Sequence, residues 1–532
     1  MRFQQVSVFT RALVILAALG VLSGCKVTAD DIEHWKGTVK GPRKICAVLG
    51  SDRYPVELRA AAGLALVQME RPIDIQNGEG ERTGAEVLRE TLQRIREDEV
   101  RKEIVATMTP GVLAQLVDAE RPQTEEEDEN ISGPPQTQVQ AKDCAFVIAN
   151  PNMSRRDTRN ELIDAIVAWY VADFNRRNLA GIFTARQVIS ALGSRAASQL
   201  VEALNARLPS QTLQQIAQLI QQVGDGETKD AAAERLVAIQ REMETDEYVT
   251  WIEGEMRSRR SPDAAEISAE QSRQAAVATQ NSWIGGAIVA MKTLAAAQPI
   301  ANRMLEIAEN TSASIERRNQ ALLALDGNAP RSGLQRLLRL ATDRQGDPNV
   351  RTTALNLISE LRDRDALPGL WPLVRLVGAS DLEMRERGQA TQSALVIAGS
   401  DGVAEVLAQL PNGRDAQYRA AELEGYALAI SQMNPAPTTV MHTQLSSTHW
   451  WARVLGALYL QHAGTEADAA RLEALSRDAG ATAGPDFADM NTVGKVAEHA
   501  LTQMRERLSS ASATPPAGEA TEEGATPSGD ET

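Results

Sequence analysis

A chain of 532 residues is longer than one hydrophobic core usually organises, so several domains or one elongated array are expected. Its formal net charge of −16 argues against a broad basic face, and with it against binding nucleic acid or anionic headgroups that way. Only 4% of residues are aromatic while Ala and Leu recur at helical spacing, which predicts an all-α fold cored by small and medium side chains.

The chain opens with Arg2 and Arg11 around an uncharged apolar run from Ala12 to Leu22. That run is too short to span a bilayer, which needs about 20 apolar residues, and it reads as a targeting segment. Its loss would remove two arginines and no acid, taking the charge from −16 to −18. The run ends in Leu22, Ser23, Gly24 and Cys25, a quartet that resembles the lipobox of bacterial lipoproteins. The resemblance implies cleavage before Cys25 and acyl chains, palmitate among them, on its sulfur and new amino group. Several chains would hold the protein at a membrane almost permanently, at about 0.8 kcal/mol per buried methylene. Lys26 after the cysteine implies the outer membrane facing the periplasm, with inner-membrane retention as the alternative. A plain secretory signal with an incidental cysteine is the competing reading.

Past a signal of residues 1–24, residues 25–41 read as a lipidated N-terminus and polar tether in which Trp35 is placed to cap the first repeat. Helical repeats are expected over 42–119, where "PVELRAAAGLALVQM" (55–69) is helix-like. Residues 120–141 are acidic and proline-bearing and read as a linker or insertion. An α-solenoid is expected over 142–508, although 227–260 reads as one long charged helix that would interrupt it. The stretch 509–532, rich in Ser, Thr, Pro and Gly, is expected to be a disordered tail.

The clearest repeat begins with "DPNVRTTA" (347–354): Asp347 is placed to cap a helix, Pro348 sits at its first position, and Val350, Ala354, Leu357, Ile358 and Leu361 form one apolar stripe. "DLEMRERG" (381–388) and "DAQYRAAE" (415–422) restart the pattern from Asp381 and Asp415. Arg317, Arg351, Arg385, Arg419 and Arg453 then fall in one 34-residue register, the mark of a repeat array. The Asp-to-Arg helix start resembles the second helix of HEAT repeats, including the shorter HEAT-like kind found in bilin lyases. "WARVLGALY" (451–459) is a fainter match to tetratricopeptide repeats, which share the period. The resemblance implies antiparallel helix pairs stacked into a superhelix with a concave, protein-binding surface. The periodic arginines and aspartates read as a structural ladder joining neighbouring repeats rather than as ligand contacts.

Catalytic chemistry is hard to find. The five histidines, at 34, 442, 449, 462 and 499, include no zincin spacing and no His-Glu pair of the kind HEAT-fold metal hydroxylases use. His442 and His449 are seven apart, too few ligands for a metal. No enzyme activity, metal or cofactor is expected beyond the lipid on Cys25. Trp450 and Trp451 are the first candidates for a partner contact, although one facing the core and one the surface is the blander account. Cys46 and Cys144, in an oxidising compartment, are either a disulfide or two buried thiols. The function these features imply is a membrane-anchored scaffold or adaptor for an unidentified envelope protein, with no nucleic acid. A HEAT-like enzyme or lyase accessory, or a purely structural envelope component, is the alternative.

Overall fold

The computed structural model describes residues 27–69, 82–117, 133–260, 268–413, 415–482, 486–487 and 489–513. The signal segment, the lipobox residues Leu22, Ser23 and Gly24, Cys25, and most of the acidic stretch lie outside them. Every named element is a helix, and the chain forms two compact units, Met1–Ala297 and Gln298–Thr532. Each unit is an all-α solenoid of stacked helices.

The first unit contains α1 (Ala29–Lys36), α2 (Gly41–Gly50), α3 (Val56–Gln68), α4 (Gly84–Gln93), α5 (Asp98–Leu116), α6 (Gln136–Ile148), α7 (Arg156–Ala172), α8 (Phe174–Arg177), α9 (Ala185–Leu192), α10 (Ser194–Ala203), α11 (Ser210–Val223), α12 (Gly226–Met243), α13 (Asp246–Ser258) and α14 (Ala269–Lys292). One layer runs α3, α5, α7, α10, α12 and α14, each packed on the next, and α2, α4 and α6 form the facing layer. Local chemistry sets the starts. Thr28, Thr83, Thr184 and Ser268 each accept the backbone N–H three residues on, while Asp31, Glu86, Gln187 and Gln271 reach back. Such a cap stabilises a helix by about 1 kcal/mol. Alanines and a glycine let α3 and α5 approach closely: a Cβ at Gly63 would stand 3.0 Å from the Met108 sulfur.

The second unit contains α15 (Gln298–Glu309), α16 (Ile315–Ala324), α17 (Leu334–Thr342), α18 (Pro348–Leu361), α19 (Leu367–Val374), α20 (Asp381–Gln409), α21 (Ala420–Ser431), α22 (Thr438–Gln444), α23 (Trp450–Ala463), α24 (Ala469–Leu475) and α25 (Val493–Ala513). Gly399, at φ 64°, divides α20 into two helices, because that left-handed conformation breaks the helical path and suits a residue without Cβ. Helices α15, α17 and α19 pack in one layer, and α16, α18 and the first part of α20 in the other. Fully buried Leu322, Ile358, Leu370 and Leu395 fill the space between.

Several sequence expectations need correction. The tether is helical from Ala29, where the cap at Thr28 and the buried Ile32 anchor α1. The linker expected to end at 141 is already helix from Gln136, and Gln138, Val139, Gln140 and Ala141 are all buried. Its polar letters mislead because α6 is enclosed by α3, α4, α5 and α7, so nearly every face is covered. Residues 227–260 form two helices instead of one, since Thr245 caps a fresh start at Asp246. The last helix continues through Ala513 into the expected tail.

Candidate interaction surface

The arginine ladder exists, in a register the helix caps set. Arg59, Arg318, Arg351 and Arg453 each lie four residues past the residue flanking their helix: Pro55, Ser314, Asp347 and His449. From there the side chain reaches the end of the preceding helix or turn. Arg59 Nε donates to Leu49 O at 3.0 Å, Arg318 Nε to Ala308 O at 2.7 Å, and Arg453 Nη1 to Ser447 O at 2.8 Å. Arg351 instead pairs forward with Glu386 at 2.6 Å, and Arg453 with Asp478.

The strict 34-residue step is off by one or two residues elsewhere, because the repeats differ in length. Arg318, not Arg317, is the buried rung, and Arg387, not Arg385, is its counterpart on α20. Asp347 caps α18 as expected, but Ser380, not Asp381, caps α20. Asp381 instead pairs with Arg419 at 2.6 Å, and Arg419 precedes α21 while Asp415 is exposed in the loop.

Of the two readings of the cysteines, the structure has the thiols: Cys46 and Cys144 are both free, Cys144 buried and Cys46 half-buried. Cys46 lies on α2 beside Thr91 of α4, and Cys144 on α6; α4 packs against both helices and keeps the thiols apart. Trp451 is buried, donates to Asn412 Oδ1 at 3.1 Å and packs on Tyr418, so it is no contact for a partner. Trp450 is half-buried between Tyr418 and Phe487. His442 and His449 do not converge, since the first meets Asp468 at 2.8 Å and the second stacks on Trp451.

The feature sequence reasoning missed lies in the first unit. Lys142 on α6 is fully buried, yet it finds three acceptors: the Asp143 carboxylate, Ala180 O at 2.9 Å and Phe183 O at 2.6 Å. Asp143 Oδ2 accepts the Ile182 N–H at 3.0 Å, and the Tyr170 hydroxyl donates to Phe183 O at 3.1 Å. Burial pushes the Asp143 carboxyl above its usual range and the Lys142 amine below its own. These bonds pin the loop of residues 178–184. Gly181 completes the fit at φ 85°, where a Cβ would stand 2.4 Å from Asp143 Oδ2.

The pinned loop holds Leu179 out in solvent, 76% exposed, at the rim of a groove of about 810 Å³. Phe174, Leu219 and Ala185 line its apolar part, and Arg186 is the one ionisable residue lining it. Gln215, Gln218, Gln221 and Gln222 of α11 supply the polar wall, and Gln215 Oε1 is buried without a hydrogen-bond partner. Helix α11 buries Leu213, Ile216, Leu219 and Ile220 and carries no charged residue at all. In a chain with 24% charged residues that uncharged glutamine face was a readable signal. A groove of this size with few polar groups falls in the range of ligand and peptide sites.

Among the described residues no helix is long and apolar enough to cross a membrane, and no three His, Cys, Asp or Glu gather where a metal ion would fit. No protein-family model and no curated protein matches the chain. Among solved structures, it is similar to an engineered protein at 16% identity and TM-score 0.20, over 87% of this chain and 98% of that one. It is also similar to Kap121p bound to Nup53p at 12% identity and TM-score 0.32, over 95% of this chain. Kap121p bound to the SUMO protease Ulp1p aligns at 11% identity and TM-score 0.30, over 94% of this chain. In both cases the chain spans about half the length of Kap121p, 53% of it.

Proposed function

We propose that this protein is a lipid-anchored scaffold of the bacterial envelope that holds an extended polypeptide segment of a partner in the groove of its first unit. The observation that carries the reading is the pairing of a rigid apolar rim, Leu179, with a wall of four glutamines. Each glutamine amide both donates and accepts, as a peptide backbone does, and it selects no charge. Apolar partner side chains would pack on Phe174 and Leu219 while the main chain faces α11. Lys142 and Asp143 keep the loop preformed, which lowers the ordering cost of binding.

The Leu-Ser-Gly-Cys quartet supplies the anchor in this reading. Intact-mass measurement of the purified protein, with membrane fractionation of wild type and Cys25→Ser, tests it. The expected result is a mass heavier than the 25–532 polypeptide by several acyl chains, and release of the variant from membranes. An unmodified mass with Cys25 retained mid-chain would contradict the anchor.

A further inference from the structure

The second unit contains two equivalent ladder rungs that differ in one respect. In the rung Arg387–Glu422 every group is used. Arg387 Nε donates to Glu422 Oε1 at 2.7 Å, Nη1 to Leu376 O at 2.7 Å, and Nη2 to Gln417 O and Glu422 Oε2. The Tyr426 hydroxyl adds a donor to Glu422, and the Tyr418 ring covers the guanidinium at 4.1 Å. The rung Arg351–Glu386, one repeat earlier, joins the same residue types but through Nη1 to Oε1 alone, at 2.6 Å. Yet Arg351 Nε has no acceptor and Glu386 Oε2 no donor, although the two residues are 6% and 8% exposed. Leaving two such groups unmet is costly in a folded protein.

This open rung lines a pocket of about 270 Å³ between α18 and α20. Its apolar walls come from Ala341, Leu355, Leu373 and Leu382, and Arg385 stands at the mouth. Arg385 is exposed, and its Nε donates to Asp381 O at 3.4 Å. Arg344, with a side chain 49% exposed, lies 3.6 Å from Glu386 Oε2, ion-pair distance without a hydrogen bond. Of the charged residues lining the pocket, Arg351 and Arg385 face the single Glu386, a local positive excess on a chain of net charge −16.

We propose that this pocket binds the C-terminal residue of a partner polypeptide, one ending in an apolar side chain and a free carboxylate. The last residue of a chain carries the missing partners together. Its carboxylate accepts from Arg351 Nε and Arg385, its own N–H donates to Glu386 Oε2, and its side chain occupies the apolar walls. Arg344, being half exposed, swings aside to admit it. The pocket has room for one side chain and not for a helix, which favours a chain end over an internal segment. The proposal deepens the reading of the protein as a polypeptide binder and does not involve the groove of the first unit, so its failure leaves that reading standing.

The test uses the full chain and a fluorescein-labelled pentapeptide, Gly-Gly-Ala-Ala-Leu, with either a free or an amidated C-terminus, followed by fluorescence anisotropy. The free acid is expected to bind saturably and the amide about tenfold more weakly, the loss of one charge-assisted hydrogen bond. Arg385→Ala should weaken the free acid by a similar factor with an unchanged melting temperature, and Arg385→Lys should recover part of it. Equal binding of the two peptides, binding of neither, or indifference to Arg385→Ala overturns the proposal. N-acetyl-leucine carries the same carboxylate, N–H and side chain and should compete with the peptide; its failure to compete would also overturn the proposal.

Discussion

Replacing Arg387 with methionine should destabilise the second unit by about 3–5 kcal/mol, because it strands a buried carboxylate. Glu422 would remain with the Tyr426 hydroxyl as its neighbour and no cation, while Leu376 O and Gln417 O would each lose the donor Arg387 supplies. The double variant Arg387→Met/Glu422→Leu should recover a large part of the loss, since a buried ion pair replaced whole by apolar side chains is often neutral. Urea melts followed through the tryptophans of that unit, Trp371, Trp450 and Trp451, read both effects. A single variant within about 1 kcal/mol of wild type would show that this rung does not hold the neighbouring repeats together.

Lys142→Met should cost the first unit a similar amount, about 3–5 kcal/mol, and its effect should be localised. The buried Asp143 would lose its cation, and Ala180 O and Phe183 O would lose their donor. The loop of residues 178–184 should therefore open before the rest of the unit, with amide exchange at Ile182 accelerated well beyond that of the α6 core. Uniform acceleration across the unit would make Lys142 a general packing residue and not the pin of the groove rim.

The fold class was legible in the sequence because helix periodicity and capping are local properties. Asp347 and Pro348 begin a helix where the letters place it, and the stripe from Val350 to Ile358 is buried as its spacing requires. The ladder was legible only in outline. A fixed step of 34 selects Arg317 and Arg385, but burial selects Arg318, four residues past its cap Ser314, and Arg387, which lies seven past Ser380 and is buried by its bonds to Leu376 O, Gln417 O and Glu422. Helix α6 shows the opposite failure: "QTQVQA" (136–141), the end of the expected linker, is helical and mostly buried, and just beyond it Lys142 and Asp143 are buried as a matched pair. The groove rests on residues distant in sequence, from Lys142 to Gln222, and only the uncharged face of α11 announced it. Cys46 and Cys144 were equally undecidable, because pairing depends on whether a third helix stands between them.

A photoreactive benzoylphenylalanine placed at Gln218 in living cells tests the claim that the groove is a protein-docking surface. The control is the same probe at Val39, which is 97% exposed and does not line the groove. Irradiation should yield a discrete adduct with a polypeptide at Gln218 and none at Val39, and Leu179→Asp should reduce its yield by about tenfold, as expected for loss of a central apolar anchor. Identical adducts at both positions, or a Gln218 adduct indifferent to Leu179→Asp, would contradict the account.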